Sequence, residues 1–216
     1  MKHLPTVRLE DQTLVVQFSQ PAQVLSWAPL GAGLKKATHW INHQVDPSYK
    51  LRRGFPSPSK TLTQVAKKLG LPRSVVGQMT SGDIRKFKKA SVTRKGWTVF
   101  ALATVGFSNA VRVGEKTQHD STQVGTINLL VWVSKPVTLP TLLEILQVAV
   151  EARTLAVIDQ KVKSQATGQP ATGTGTDCVA IACPGGKVQR VHAGKHTVLA
   201  ELTGKAVLKV MAPHLR

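Results

Sequence analysis

The spacing of apolar residues changes several times along this chain, and each change marks a predicted element. Between residues 6 and 27 two short runs, TLVVQFS and AQVLSWA, are branched and aromatic-containing, with Gln20-Pro21 between them, the pattern of β structure. GAGLKKATHWINHQV follows. Its glycines mark a turn, and a short helix is predicted around Lys35 to Val45. DPSYKLRRGFPSPSK, with its prolines, serines and charges, reads as loop. Leu62, Val65, Ala66 and Leu69 fall at helical spacing and predict an amphipathic helix from Thr61 to Leu69, ended by Gly70, with Pro72 to Met79 as the candidate start of a second. WTVFALATVGF and TINLLVWVS are strand candidates, the latter so apolar that both its faces should be buried. T141-L-L-E144 fits a capping box, and Leu142, Ile145, Leu146, Ala149 and Ala156 line one face of a helix running to about residue 163. Leu155 and Ile158 lie elsewhere on that helix, which predicts cover on more than one side. CVAIAC is a short strand, PGGK a turn, and Thr197 to Val210 a final helix with Leu199, Leu202, Ala206 and Val210 inward. Strands and helices mix without an internal repeat or a long linker. The expected fold class is α+β, a mixed β-sheet packed with helices in a single compact domain over residues 1–216.

Composition narrows the class. With 216 residues and 42% hydrophobic content the chain can bury a full core. The opening MKHLPTVRLEDQT lacks the apolar stretch of a signal peptide, and INLLVWV is far too short to span a bilayer, so a soluble, cytoplasmic protein with no membrane partner is expected. The only cysteines, Cys178 and Cys183, would point to opposite faces of a straight strand, which argues against a disulfide and for two buried thiols. The net charge of +18 would ordinarily suggest a polyanion. About fifteen basic residues lie between Lys35 and Lys95 against Asp46 and Asp83 alone. Yet the region has no aromatic–basic interleaving, no zinc-finger spacing and no clean helix-turn-helix, so nucleic acid is not the expected partner. Nothing in the sequence sets an oligomeric state.

Polar residues gather where strands end and helices begin: Ser108-Asn109, Asn128 within GTIN, Thr172 to Asp177 in ATGTGTD, and Gly194-Lys195-His196 before the last helix. Loops held by rigid elements are where chemistry concentrates. In an extended ribbon Thr172, Thr174 and Thr176 would face one way, lining a wall that ends in the Asp177 carboxylate. Ser108 and Asn109 equally suit a turn, and Asn128 could be satisfying backbone groups. Glu151, if buried beside Leu155 and Ile158, would have a raised pKa suited to proton transfer. His196, near a helix start, would favour the neutral imidazole of a base. His39/His43 and His192/His196 are each four apart. On a helix that spacing would put both rings on one face, and of the two pairs His39/His43 is the better metal candidate, though a third ligand is not visible and no metal is expected.

Taken together, the motifs T104-V-G-F-S-N-A-V-R-V-G-E115, G125-T-I-N-L-L130, E151-A-R-T154, A171-T-G-T-G-T-D177 and A193-G-K-H-T-V-L-A-E-L-T-G204 resemble the adenosylcobinamide amidohydrolase family of cobamide salvage. L34-K-K-A-T-H-W-I-N-H-Q-V45 and V76-G-Q-M-T80 add a weaker likeness, and the chain is richer in Lys and Arg than the family pattern. The resemblance implies hydrolysis of the amide joining a corrin propionyl group to aminopropanol, with the corrinoid as substrate and no cofactor. On that footing Asp177 or Glu151 would activate water and His196 would act as base or protonate the departing amine. Direct water attack is favoured over a covalent route through Ser108, Thr174 or Thr176, since no G-x-S-x-G elbow is present. Asn42, Asn109, Asn128, Ser108 and the three threonines would bind the amide-rimmed ring. A carrier that binds corrinoid without cutting it, and a basic nucleic-acid-binding protein, are the alternatives.

Overall fold

A computed structural model describes residues 4–46, 57–116 and 125–212. The mixed α+β class predicted from the pattern is what it contains: an eight-stranded mixed sheet and three helices. β1 (Thr6–Glu10) turns back through Asp11 and Gln12, both at positive φ, into β2 (Thr13–Ser26), and β3 (Gly33–Gln44) pairs antiparallel with β2. β4 (Val75–Thr80) runs parallel to β3. β5 (Lys88–Arg94) and β6 (Trp97–Val105) form a hairpin closed by Lys95-Gly96, β8 (Ile127–Val133) lies antiparallel to β6, and β10 (Cys178–Pro184) lies parallel to β8 and antiparallel to β2. The order is β4-β3-β2-β10-β8-β6-β5, with β1 beside β2, and the two-residue strands β7 (Ala110–Val111) and β9 (Gly173–Thr174) pair apart from it.

The layers follow from alternation along the strands. Odd-numbered residues of β6, β8 and β10, such as Ala101, Leu129 and Ile181, pack against α2 (Leu139–Asp159) and α3 (Val198–Met211). Even-numbered ones, such as Leu102, Leu130 and Ala180, pack against Leu14, Val16, Trp40 and Val76 of β2, β3 and β4. The sheet therefore folds back on itself, and α1 (Pro58–Lys68) covers the outer side of the folded-over half through Leu62 and Ala66. Both faces of β8 are buried, as its apolar run requires. Cys178 and Cys183 lie in the two different cores, on opposite faces of β10, as free thiols. No helix among the described residues is long and apolar enough to cross a membrane.

Several predicted elements are corrected. Lys35 to Val45 is strand, not helix: β3 is held by ladders to β2 on one side and β4 on the other, and Thr38, Trp40 and Ile41 suit that half-buried pleat. Pro72 to Met79 likewise yields β4 and no helix. TLVVQFS and AQVLSWA are one long strand, in which Gln20-Pro21 marks an irregularity of register between Gln17 and Ala22 that lets the sheet bend. The α2 cap is Thr138, one turn before the predicted Thr141. Its hydroxyl accepts from Thr141 N, and Pro140 fits the first turn because an N–H there would have no helical partner. Leu143, Leu155 and Ile158 are about half exposed, so α2 is covered on one side only. Most of DPSYKLRRGFPSPSK lies outside the described residues.

Candidate active site

The Thr–Gly ribbon is organised by its own terminal carboxylate. Asp177 Oδ1 accepts from Ile127 N (3.0 Å) and from the Thr174 hydroxyl, while Oδ2 accepts from Thr174 N (3.0 Å) and faces Arg153 Nη1 at 2.9 Å. A carboxylate has about four acceptor positions, and all are engaged here. The Arg153 and Asp177 side chains are 12% and 8% exposed, a nearly dry ion pair between α2 and the ribbon. Gly173 is where it is because a Cβ there would sit 2.3 Å from Asp177 Oδ2.

Three of the predicted segments meet around this carboxylate. β7 pairs with β9, Ala110 opposite Thr174 and Val111 opposite Gly173, which lays the Ser108-Asn109 loop against the ribbon. The GTIN segment joins through Ile127 N and through Thr176, whose hydroxyl donates to Gly125 O (3.0 Å) and whose carbonyl accepts from Thr126 Oγ1 (2.9 Å). Gly125 is packed so tightly that a Cβ would lie 2.8 Å from both Asn109 Oδ1 and Ser108 Oγ. The threonines do not line a common wall. Thr172 accepts from Val113 N, Thr174 donates to Asp177 and Thr176 to Gly125 O, because the ribbon is extended only over Gly173–Thr174 and turns immediately after. Their hydroxyls hold loops in place.

Beneath the junction a polar seam crosses the gap between the two sheet layers. Asn42 Nδ2 donates to Thr104 Oγ1 (2.8 Å), and Asn128 Nδ2 donates to Asn42 Oδ1 (2.8 Å) and to Met79 O (2.7 Å). Gln78, in register with Asn42, donates to Cys178 Sγ (3.2 Å). Burial pushes the Cys178 thiol up to about 11, so it stays protonated at neutral pH. Asn42 and Asn128, expected to bind substrate, are fully buried and bonded to each other; they pin the layers together at this end. Two amide oxygens, Asn109 Oδ1 and Gln78 Oε1, are buried without a partner. Such orphans are costly unless something arrives to satisfy them.

Glu151 and His196 stand outside this junction. Glu151 is exposed. Its carboxylate accepts from Gln147 and pairs with Lys195 Nζ at 3.0 Å, and these contacts hold its pKa below the usual range, Gln147 contributing most. The burial that would have raised it is absent. Two residues on an α-helix are about 200° apart, so with Arg153 turned to the ribbon, Glu151 and the Gly194–His196 loop it binds lie on another side of α2. His196 is exposed, and no hydrogen bond or ion pair ties it to the ribbon. His39 and His43 are four apart on a strand, which separates them by about 13 Å, too far for one metal. Each instead bonds a threonine hydroxyl through Nδ1, to Thr38 and Thr13 respectively, both at 2.9 Å, and burial lowers both pKa values. A cavity of about 260 Å³ opens among β5, β6 and the ends of α2 and α3, lined by Lys86, Lys88, Ala103, Val105, Phe107 and Met211 among others; none of the predicted site residues lines it.

Arg153, Gln78, Thr104 and Trp27 were not singled out from the sequence. Arg153 had a usable signal: it is the only cation in α2, on a stretch of small and apolar residues where a charge needs a carboxylate. Trp27 had none, since its place beside the ribbon, with Nε1 donating to Asp177 O at 2.9 Å, arises from the pairing of β2 with β10.

The solved structures most usefully compared are distant. The PH0078 protein from Pyrococcus horikoshii OT3 matches with a TM-score of 0.44 and 10% identity, covering 97% of this chain and 79% of that one. The L-aminopeptidase D-Ala-esterase/amidase from Ochrobactrum anthropi, described as a variant of the Ntn hydrolase fold, matches with a TM-score of 0.42 and 9% identity over 96% of this chain and 81% of that one. Scores this low transfer neither fold nor chemistry. No curated protein matches the sequence. The family model of adenosylcobinamide amidohydrolase, by contrast, matches residues 2–214, nearly the whole chain. The segments that converge around Asp177 are among those on which the sequence resembles that family, and the chain belongs to the adenosylcobinamide amidohydrolases.

Proposed function

We propose that the amide bond of adenosylcobinamide is cut at the junction of the Ser108–Val111, Gly125–Asn128 and Gly173–Asp177 segments. The family activity is hydrolysis of the amide between the corrin propionyl arm and 1-aminopropan-2-ol, which leaves adenosylcobyric acid for corrinoid salvage. The observation that carries the location is the Asp177 carboxylate, which ties two of the segments directly and the third through the β7–β9 pair.

The reaction follows from what each group has left to offer. Water adds to the amide carbonyl carbon, the C–N bond breaks, and the amine leaves with a proton. The exposed Gly175-Thr176 turn presents main-chain N–H groups to the carbonyl oxygen as it gains charge. Asn109, with its unpartnered Oδ1, accepts from an amide N–H of the substrate. Asp177 is a positioning residue: three hydrogen-bond donors and the Arg153 guanidinium occupy its acceptor positions, and its work is to hold the turn. Thr174, whose hydroxyl donates to that carboxylate, is read as part of the same clamp, with water as the attacking group. Asn42, Asn128 and Thr104 keep the floor rigid. A cytoplasmic location fits the two reduced, buried thiols.

Incubating the protein with adenosylcobinamide and assaying free 1-aminopropan-2-ol together with a corrinoid that has gained a carboxylate tests the reading. Both products are expected in equal amount. Tight corrinoid binding with no amine released would leave a carrier. Salt-sensitive retention on DNA without corrinoid binding would leave a nucleic-acid protein.

A further inference from the structure

Of the four tryptophans, Trp40 and Trp132 are buried, Trp97 is half-buried, and Trp27 alone is open to solvent, at 47%. An exposed indole is usually mobile; this one is fixed. It lies one residue beyond the end of β2, where Ser26 Oγ accepts from Ala28 N (3.1 Å) and donates to Val179 O (2.8 Å), so the backbone on both sides is tied to β10. Its Nε1–H donates to the carbonyl of Asp177, the residue clamped from four directions. The polar edge of the ring is thus spent on the ribbon, at the residue that follows the exposed Gly175-Thr176 turn, while about half of the side chain stays open to solvent.

We propose that Trp27 is the platform on which the flat corrin ring of the substrate stacks, and that it determines specificity by holding the ring while one propionamide arm reaches the ribbon. This rests on the amidohydrolase reading above. A rigid aromatic face loses little freedom when a flat ligand covers it, and a pinned one loses less still. A corrin is a broad, conjugated plane rimmed with amides. Stacking on Trp27 supplies affinity for the plane, and the ribbon and Asn109 read the rim. No step of bond-making passes through the indole, so its removal should weaken binding and leave the chemical step alone.

The test compares Trp27→Phe with Trp27→Leu. Both lose the bond to Asp177 O, whereas only the first keeps a flat aromatic face. Adenosylcobinamide and cobinamide lacking the adenosyl group are titrated against indole fluorescence, and kcat and KM for amine release are measured for the adenosylated substrate. We expect Trp27→Leu to raise Kd for both corrinoids and KM about tenfold or more, with kcat within about twofold, and Trp27→Phe to stay within about threefold in all of them. Equal loss in the two variants would assign Trp27 a structural role through Nε1 and overturn the proposal, as would unchanged Kd in Trp27→Leu. Weakening confined to the adenosylated form would also overturn it, making adenine the stacked group. If the wild type binds corrinoid but releases no amine, the amidohydrolase reading fails and the titrations still decide whether Trp27 carries the ring.

Discussion

Replacing Asp177 by asparagine separates a residue that holds from a residue that reacts. The substitution keeps the shape and one acceptor oxygen but turns the other acceptor into a donor, facing Arg153 or the Thr174 amide. Arg153 then carries a charge at 12% exposure with its Nε already lacking a partner. Removing one member of a buried pair costs about 3–5 kcal/mol. One retained acceptor, able to serve Ile127 N or Thr174, puts the expectation near the lower end, about 3 kcal/mol. That is well inside a total stability of roughly 5–15 kcal/mol, so the variant folds, and for a chain of this length it melts about 6–12 °C lower. Arg153→Met should cost a similar amount by stranding the carboxylate. The double variant should lose less than the sum by at least about 1 kcal/mol, since each single change has already broken the same contact. Urea unfolding of the four proteins, beside turnover of adenosylcobinamide, supplies the numbers. Turnover should fall in all three variants and recover in none. A result with Asp177→Asn stable to within about 1 kcal/mol of wild type but without turnover would refute the positioning role and return the carboxylate to the chemistry.

Gly173→Ala forces a methyl to 2.3 Å from Asp177 Oδ2, and Gly125→Ala forces one to 2.9 Å from the Gly106 carbonyl as well as against Asn109 and Ser108; both should cost at least about 2 kcal/mol in thermal melts and most of the turnover. Glu151→Gln and His196→Ala, on the far side of α2 from Arg153, should keep kcat/KM within about threefold, and a hundredfold loss in either would restore it to the site. Asn128→Leu strands Asn42 Oδ1 and the Met79 carbonyl and should destabilise by about 2–4 kcal/mol, which denaturant melts will show. Cys178 ionises near its ordinary value in the unfolded chain and near 11 when folded, so it favours the folded state fully below pH 9 and progressively less toward pH 11. Wild type should therefore lose about 2–3 kcal/mol more than Cys178→Ala across that interval, measured as the difference between their pH–stability curves.

How much of this could be read without coordinates depends on whether the cause is local. β6, β8 and β10, α1, α2 and α3 are legible because each carries its own apolar period, and a run such as INLLVWV has no other place to go than a sheet covered on both faces. The segments Ser108-Asn109, GTIN and TGTGTD are legible as polar stretches, since glycine and small polar residues cluster there at the ends of apolar runs. β3 and β4 were not. Lys35 to Val45 and Pro72 to Met79 become strands through ladders to partners far away in sequence, and no local preference announces that. The roles within the site were hidden for the same reason. Whether Asp177 is free or clamped depends on Arg153, and whether Glu151 is buried depends on which side of α2 meets the ribbon. Whether Thr172, Thr174 and Thr176 share a wall depends on where the backbone turns. The sequence by itself marked the polar loops and most of the apolar elements, because apolar spacing and loop composition are properties of neighbouring residues. Only the tertiary structure decided what each side chain does there, because hydrogen-bond partners and burial come from residues that the chain brings together from far apart.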